Sequence, residues 1–287
     1  MEGAARSLVI LVVALLGGLI PTVLYVLGIW WLDRYEKEPI WLLALGFVWG
    51  LIPAALLSVL LELLFDLPVT AIGGETLAAN LVSTAIGAPL IEESFKALAL
   101  LGLVLAFHQE FDDVLDGIIY GAMIGLGFAM TENVLGYYLP ILQAEGISAG
   151  LVNILMRSVV FGVNHAFWTA IVGAAIGYAR LVRGWGQRLV IVAGGWSLAV
   201  FFHAVHNAGA TLVEHVGCLS LGISLVSTWG GVLGLIVVAG LALRKESEWI
   251  CDGLQEELRS GLLTSREHDL LSSAGWRFRL RGGARGR

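Results

Sequence analysis

Long apolar runs separated by short polar stretches form most of the chain. Runs of about 20 apolar residues, the length of a helix that crosses a hydrocarbon core, recur along it. They predict seven transmembrane helices, at roughly 8–31, 40–65, 80–107, 116–142, 150–180, 188–213 and 221–243. Two alternatives stay open: the stretch 66–79 re-enters the membrane, or the long fifth segment is broken. The pattern therefore predicts an all-α, polytopic membrane bundle over residues 1–243, followed by a short cytoplasmic tail, 244–287.

Composition supports this interpretation and excludes a soluble globular protein. Of the 287 residues, 57% are hydrophobic and only 14% are charged, and the mean hydropathy is +0.84. The first apolar run follows only Met1–Ser7 and is too long for the core of a signal peptide, so we expect it to be retained. Cys218 and Cys251 fall on opposite sides of the predicted membrane, so no disulfide is expected.

Basic residues predict how the chain is oriented in the plasma membrane. Lys and Arg occur in alternate loops, including Arg34, Lys37 and Arg183, and again in the tail. The intervening loops, which hold neither residue type, are near 66–79, 143–149 and 214–220. Since basic loops stay in the cytoplasm, we expect an extracytoplasmic N-terminus and a cytoplasmic C-terminus.

The tail combines an amphipathic part with a basic end. The pattern from Trp249 to Leu263 predicts a short helix or a helical pair. The segment 276–281 alternates Arg with aromatic and apolar residues, which is typical of disorder or of contact with anionic lipid. A membrane surface, rather than nucleic acid, is therefore the expected partner of the tail.

Three ionisable residues lie in the middle of the third apolar run. Glu92, Glu93 and Lys96 stand within 81–107. Each costs about 2.5–3.5 kcal/mol near the bilayer centre, whereas each Leu, Ile, Val or Phe gains only about 0.3–0.6 kcal/mol on insertion. Charges in such a place indicate a functional site and require partners inside the protein.

Other predicted spans carry polar residues that can serve as these partners. They are Glu132, Asn133, Arg157, Asn164, His165, His203, His206 and Asn207. Glu92 and Lys96 are four residues apart, as are His203 and Asn207, so each pair shares a helix face. Counting at 1.5 Å per residue places Glu92, His165, His203 and Asn207 in one slab, from the membrane midplane outward.

This set of side chains is sufficient for peptide hydrolysis without a covalent intermediate. Two neighbouring carboxylates in a low dielectric do not both ionise readily, so they can act as acid and base. A glutamate can activate water while His and Asn donors stabilise an oxyanion. Alternatively, His165 and His203 with Glu92 hold zinc. A third possibility is a proton-coupled transporter or channel. We favour hydrolysis without a cofactor.

Three motifs resemble those of the CAAX-protease-like intramembrane proteins. They are Glu92-Glu93-x-x-Lys96, Phe161-x-x-x-His165 and His203-x-x-x-Asn207. The chain resembles the PrsW family more closely, through the further motifs Asp33-Arg-Tyr-Glu-Lys-Glu-Pro39, Ala88-Pro89-Leu-Ile-Glu92, Asp116-Gly-x-x-Tyr-Gly121 and Gly127-Phe-Ala-x-x-Glu132-Asn133. Lys96 stands one position earlier than the basic residue of the CAAX pattern, which matches the PrsW version.

The resemblance implies an intramembrane protease that cuts single-span membrane proteins such as anti-sigma factors. Glu92 or Glu93 would then activate water, and His165 would help to position it. His203 and Asn207 would stabilise the oxyanion. Supporting or substrate-binding roles would belong to Lys96, Glu132, Asn133 and Arg157.

Two further patterns predict structure rather than chemistry. Glycines four residues apart, at Gly117, Gly121 and Gly125 and at Gly173 and Gly177, are typical of closely packed transmembrane helices. The acids at 112, 113 and 116 precede the fourth span, where they favour a helix N-terminus. We expect packing contacts from the glycines and helix caps from the acids.

Overall fold

The computed structural model describes residues 2–32 and 37–273, and nearly all of them are helical. The helices are α1 (Glu2–Leu32), α2 (Ile40–Trp49), α3 (Ala55–Gly73), α4 (Leu77–Leu81), α5 (Ala88–Ala106), α6 (Val114–Thr131), α7 (Leu139–Ala144), α8 (Ile147–Leu155), α9 (Asn164–Leu181), α10 (Trp185–Thr211), α11 (Val213–Val216), α12 (Cys218–Gly253), α13 (Gln255–Arg259) and α14 (Ser265–Ser272). Residues 33–36 and 276–281, which belong to the expected first motif and the basic tail end, lie outside the described residues.

The polytopic all-α fold is confirmed. Among the described residues, six helical stretches are long and apolar enough to cross a membrane: Gly3–Leu32, Ile40–Gly73, Val114–Ala144, Ile147–Leu181, Trp185–Thr211 and Cys218–Gly253. The remaining expected span, 80–107, coincides with the continuous helix from Leu77 to Ala106 except at its last residue, and Glu92, Glu93 and Lys96 stand in the middle of this helix.

The path of the backbone favours one side of each open alternative. The stretch 66–79 does not re-enter the bundle as a separate loop, because α3 continues to Gly73 and the chain turns at Gly74, where φ is 61°. The fifth segment is broken: α-helix stops before Phe161 and resumes at Asn164. This break lies directly before His165.

Turns of π-helix interrupt four of the long helices. They span Gly50–Ala54, Val82–Gly87, Glu132–Tyr138 and Met156–Val160. Pro53 lies inside the first turn, and Pro89 and Pro140 each stand two residues after the end of the second and third turns. A proline has no N–H to donate to the carbonyl four residues earlier, which favours such a local widening of the helix. Glu132, Asn133 and Arg157 all lie on these turns.

Helix α6 forms the centre of the bundle, and glycine lets its neighbours approach closely. A Cβ atom added at Gly125 would lie 2.1 Å from the backbone oxygen of His165, and one at Gly117 would lie 2.0 Å from that of Gly173. The predicted glycine packing is therefore confirmed between α6 and α9. This contact places His165 on the inner side of the bundle.

The two ends of the bundle can be distinguished by contacts. At one end, Arg180 donates to the carbonyl of His108, and the buried Glu38 accepts a hydrogen bond from Tyr120. Helix α6 begins at this end with the predicted cap: the Asp113 side chain accepts from the backbone N–H groups of residues 115 and 116. The loops near 74 and 214 meet at the opposite end. Cys218 and Cys251 are free thiols, as expected.

Candidate active site

Helix α5 carries the two glutamates and the lysine into the core of the bundle. The π-helical turn before α5 and Pro89 in its first turn set the rotation of this helix. As a result, Glu92, Glu93 and Lys96 are all buried, although they stand in an otherwise apolar sequence. Their partners must come from neighbouring helices, because unpaired charges at this depth are strongly unfavourable.

Helices α9 and α10 supply two imidazoles to the same place. Donor atoms of Glu92, Glu93, His165 and His203 all lie within 4.8 Å of one another, and all four residues are buried. Side chains from three helices, α5, α9 and α10, therefore meet at one point, as the depth count predicted. We call these four residues together with Lys96 the central cluster.

The Lys96 ammonium group holds the central cluster together. Its Nζ lies 3.1 Å from Glu92 Oε2 and 2.8 Å from Glu93 Oε1. It also lies 2.9 Å from His165 Nδ1. The ring of Phe128 covers it, with 3.8 Å between Nζ and the ring centroid. Lys96 is 0% exposed, so these contacts replace its hydration entirely.

Glu93 is enclosed by hydrogen-bond donors. Besides Lys96, His203 Nδ1 lies 3.0 Å from its Oε1, and the Thr169 hydroxyl donates to its Oε2 at 3.3 Å. Because Lys96 can only donate, and the hydroxyl is oriented as a donor, Glu93 fits an ionised carboxylate. His203 then donates from Nδ1, and its Nε2 carries a free lone pair.

The tautomer of His165 follows from the same reasoning. Lys96 donates to Nδ1, so the ring proton is on Nε2, which lies 2.7 Å from Glu132 Oε2. Arg157 binds the same carboxylate at 2.8 Å and donates to Asn133 Oδ1 at 2.6 Å. A chain of polar contacts thus runs from Lys96 through His165 and Glu132 to Arg157.

Glu92 is the less engaged of the two adjacent glutamates. Its Oε2 lies 3.8 Å from His165 Nδ1 and 4.0 Å from His203 Nε2, and Lys96 is its closest charged partner. A water molecule about 2.8 Å from both Glu92 Oε2 and His203 Nε2 would bridge the 4.0 Å gap, with its two bonds at about 90°. The geometry therefore provides two hydrogen-bond acceptors for one water.

Asn207 lies next to the cluster but does not touch its carboxylates. Its Nδ2 donates to the carbonyl of Thr84 at 2.8 Å, and Thr84 in turn contacts Thr211. A cavity of about 20 Å³ separates Asn207 from the α9 side of the site. This cavity is lined by Ala129, Glu132, Asn133, Arg157, Phe161, Gly162, Asn164, His165, Trp168, His206 and Asn207. His206 instead bonds the Ser224 hydroxyl.

Several residues at the site were not predicted from the sequence. Trp168 stacks on His203 with 3.9 Å between ring centroids, and Thr169 binds Glu93. Thr169 follows His165 by four residues, a helical spacing that would have suggested it. Trp168 and Phe128 gave no such signal, because aromatic residues in apolar spans usually form core.

The central cluster can hold a metal ion by donor type and spacing. Two carboxylates and two imidazoles within 4.8 Å are ligands that suit zinc. The Lys96 ammonium group, however, lies within 3.1 Å of three of these donors. A zinc ion about 2.0–2.3 Å from its ligands cannot share that space with a second cation. The donors fit zinc only if Lys96 withdraws.

Comparison with known proteins gives one consistent family. A family model described as PrsW family intramembrane metalloprotease matches residues 38–242. The chain is 27% identical to protease PrsW of Geobacillus kaustophilus over 201 residues, which cover 70% of this chain and 80% of that relative. It is 30% identical to protease PrsW of Bacillus subtilis over 148 residues, covering 52% of this chain and 60% of the relative. No solved structure matches.

Proposed function

Because the chain belongs to the PrsW family of intramembrane proteases, we propose that it hydrolyses a peptide bond near the extracytoplasmic end of a single-span membrane protein, such as an anti-sigma factor. The observation that carries the proposal is the gap between Glu92 and His203, which are buried and 4.0 Å apart at their nearest atoms. Family membership favours hydrolysis over the transporter alternative.

In the proposed reaction, Glu92 removes a proton from the bridging water. The water oxygen bonds to the carbonyl carbon of the substrate, and the carbonyl π electrons move to its oxygen. The C–N bond then breaks, and the proton passes to the leaving nitrogen. One carboxyl group is formed and one amine is released, so no oxidant or further reactant is needed.

The remaining residues position these groups. Glu93 holds Lys96 and orients His203, so that the His203 Nε2 lone pair faces the water. His165 acts through Lys96 and Glu132, because both of its ring nitrogens are engaged. Asn207 keeps one N–H for the oxyanion, since its contact with Thr84 uses only one of two. Arg157 and Asn133 brace Glu132.

Zinc is the alternative that the family description and the donor set favour. Glu92, His165 and His203 would hold the ion, and it would supply Lewis-acid activation of water. Lys96 would first have to leave His165 and both carboxylates. We favour the reaction without metal for that reason.

A second cavity supports access from the extracytoplasmic side. It measures about 500 Å³, lies between the loops near 74 and 214, and includes Thr84, whose carbonyl binds Asn207. These loops hold no Lys or Arg, which supports an extracytoplasmic position for this end of the bundle. A substrate helix hides its carbonyls in its own hydrogen bonds, so the cut belongs where the helix frays or ends.

Co-expression with candidate substrates tests the proposal. Tagged single-span proteins would be expressed with the wild type, with Glu92→Gln, and with the matched exposed variant Glu248→Gln. We expect a fragment with the wild type and with Glu248→Gln only, because Glu248 lies in an exposed surface pair. Glu93→Ala, His165→Ala and His203→Ala should also abolish the fragment while the protein still accumulates in the membrane.

Mass spectrometry of the fragment locates the cut. We expect it in the outer third of the substrate span or just beyond. Activity in both glutamate variants would contradict the assigned site. A cut in the cytoplasmic third would contradict the assigned orientation or the side on which the site opens.

A further inference from the structure

The small cavity beside His165 contains hydrogen-bonding groups that the proposed reaction has not used. Asn164 and Trp168 line this cavity and are only 3% and 1% exposed. Within the described ranges 2–32 and 37–273, Asn164 Nδ2, Asn164 Oδ1 and Trp168 Nε1 have no hydrogen-bond partner. Each unsatisfied buried group costs about 1–3 kcal/mol, so a ligand is expected to bind there.

Both residues are close to the reacting groups. They stand four apart on α9 and therefore share a face of this helix. The Trp168 ring is stacked on His203, and the His165 ring is 4.8 Å away at nearly a right angle. An oxygen atom in the cavity would thus lie beside the imidazoles of the central cluster.

The broken fifth segment adds a favourable electrostatic field. Helix α9 begins at Asn164 and has no side-chain cap, and its first residues line the cavity. The positive end of a helix dipole and free N–H groups in the first turn favour negative charge at this position. A helix that ran continuously through residues 161–163 would have neither a positive dipole end nor free N–H groups at this position.

The donors first expected to bind an oxyanion are partly occupied. His203 Nδ1 faces Glu93, so its other nitrogen accepts rather than donates, and Asn207 already donates to Thr84. We infer that the Asn164 amide and the Trp168 indole N–H bind the carbonyl oxygen of the scissile peptide bond and stabilise the negative charge that develops on it. This inference rests on the proposed function.

The size of the cavity is consistent with this role. At about 20 Å³ it holds one water-sized group, since about 10–15 Å³ is needed for a water molecule. An entering carbonyl oxygen replaces that water and receives the two donors. When water adds to the carbonyl carbon, the π electrons move onto this oxygen, where the donors are already oriented.

Four variants of the full-length protein in lipid vesicles test the inference. Trp168→Phe removes the N–H but keeps an aromatic ring, and Asn164→Leu removes both polar atoms at similar volume. Trp185→Phe alters an exposed indole as a control. Asn153→Leu is the matched control for Asn164→Leu, because Asn153 also has a buried, unpaired amide oxygen but lines a different cavity.

We expect Trp168→Phe and Asn164→Leu each to lower kcat by about 10²–10³-fold, with KM changed by less than about threefold. Thermal stability should stay equal or rise in Asn164→Leu, because an unpaired polar group is replaced by an apolar one. Loss of kcat together with unchanged or improved stability cannot come from a purely structural role. Both controls should keep wild-type kinetics.

A kcat within about threefold of wild type in both Trp168→Phe and Asn164→Leu would overturn the inference and indicate a structural water only. Glu92→Gln is measured in parallel to separate the two proposals. If it cleaves like the wild type, the assignment of Glu92 as the group that activates water fails, whatever the kinetics of the α9 variants. If it is inactive while the α9 variants are fully active, only the inference fails.

If Trp168→Phe does not accumulate in the membrane, the kcat of Asn164→Leu alone tests the inference.

A second measurement uses binding instead of cleavage. The substrate segment with its scissile bond replaced by a hydroxyethylene group should bind the wild type at least about tenfold more tightly than Asn164→Leu. Equal binding would contradict an oxygen site in this cavity.

Discussion

Replacing Lys96 by methionine tests whether the ammonium group holds the two glutamates in place. The change keeps an unbranched side chain of similar length and removes the charge. Glu92 and Glu93 would then face each other without the cation that now lies 3.1 and 2.8 Å from them. His165 would lose the donor to its Nδ1 as well.

The expected loss is large because the group is wholly buried. Removing one partner of a buried ion pair destabilises a protein by about 3–5 kcal/mol, since it leaves an uncompensated charge. Here two carboxylates lose the same partner, and the Phe128 ring loses its contact with the cation. We therefore expect Lys96→Met to lower the free energy of unfolding by about 3–5 kcal/mol and to abolish cleavage.

Equilibrium unfolding of the purified protein in mixed micelles measures this change. Lys245→Met is the matched control, because Lys245 pairs with Glu248 three residues away, as Lys96 does with Glu93, but on the exposed surface. It should show no measurable change. The double variant Lys96→Met/Glu93→Gln should recover part of the loss. Equal stability of Lys96→Met and wild type would refute the assigned role of the ammonium group.

Two further predictions concern packing and orientation. Gly125→Ala places a Cβ 2.1 Å from a backbone oxygen of the facing helix, so we expect lost activity and a lower melting temperature. Gly234→Ala, with nothing within 4 Å, should be neutral, and equal effects of the two changes would contradict the packing account. A membrane-impermeant maleimide applied to intact cells should label Cys218 and not Cys251, and labelling of Cys251 alone would invert the orientation.

The fold and the location of the central cluster could largely be predicted from the sequence. Helical spans follow from run length, because backbone groups in lipid must be paired within the helix. The contact between α6 and α9 follows from glycines four apart, since only small residues allow such close approach. Charged residues in apolar runs require partners inside the protein. Counting residues along the spans placed His165 and His203 at a membrane depth similar to that of Glu92.

The detailed pairing could not be predicted, because it depends on how the helices are rotated. Four π-helical turns change that rotation. A proline in the sequence shows that one backbone N–H is missing, but it does not show which local helix geometry results. Nothing in the sequence distinguishes the roles of the adjacent Glu92 and Glu93, yet only Glu93 is enclosed by three hydrogen-bond donors. The unpaired groups of Asn164 and Trp168 become visible only once every neighbour is placed.

One measurement tests the central claim most directly: cleavage of a single-span substrate by the purified, vesicle-reconstituted protein after exhaustive chelation, with zinc determined in the same sample by elemental analysis. Glu92 and His203 activate water without a metal in this account, and Lys96 occupies the space among the donors. The account predicts undiminished cleavage by the chelated wild type, no stoichiometric zinc, and no cleavage by Glu92→Gln. Cleavage that is lost on chelation and restored by zinc would contradict it.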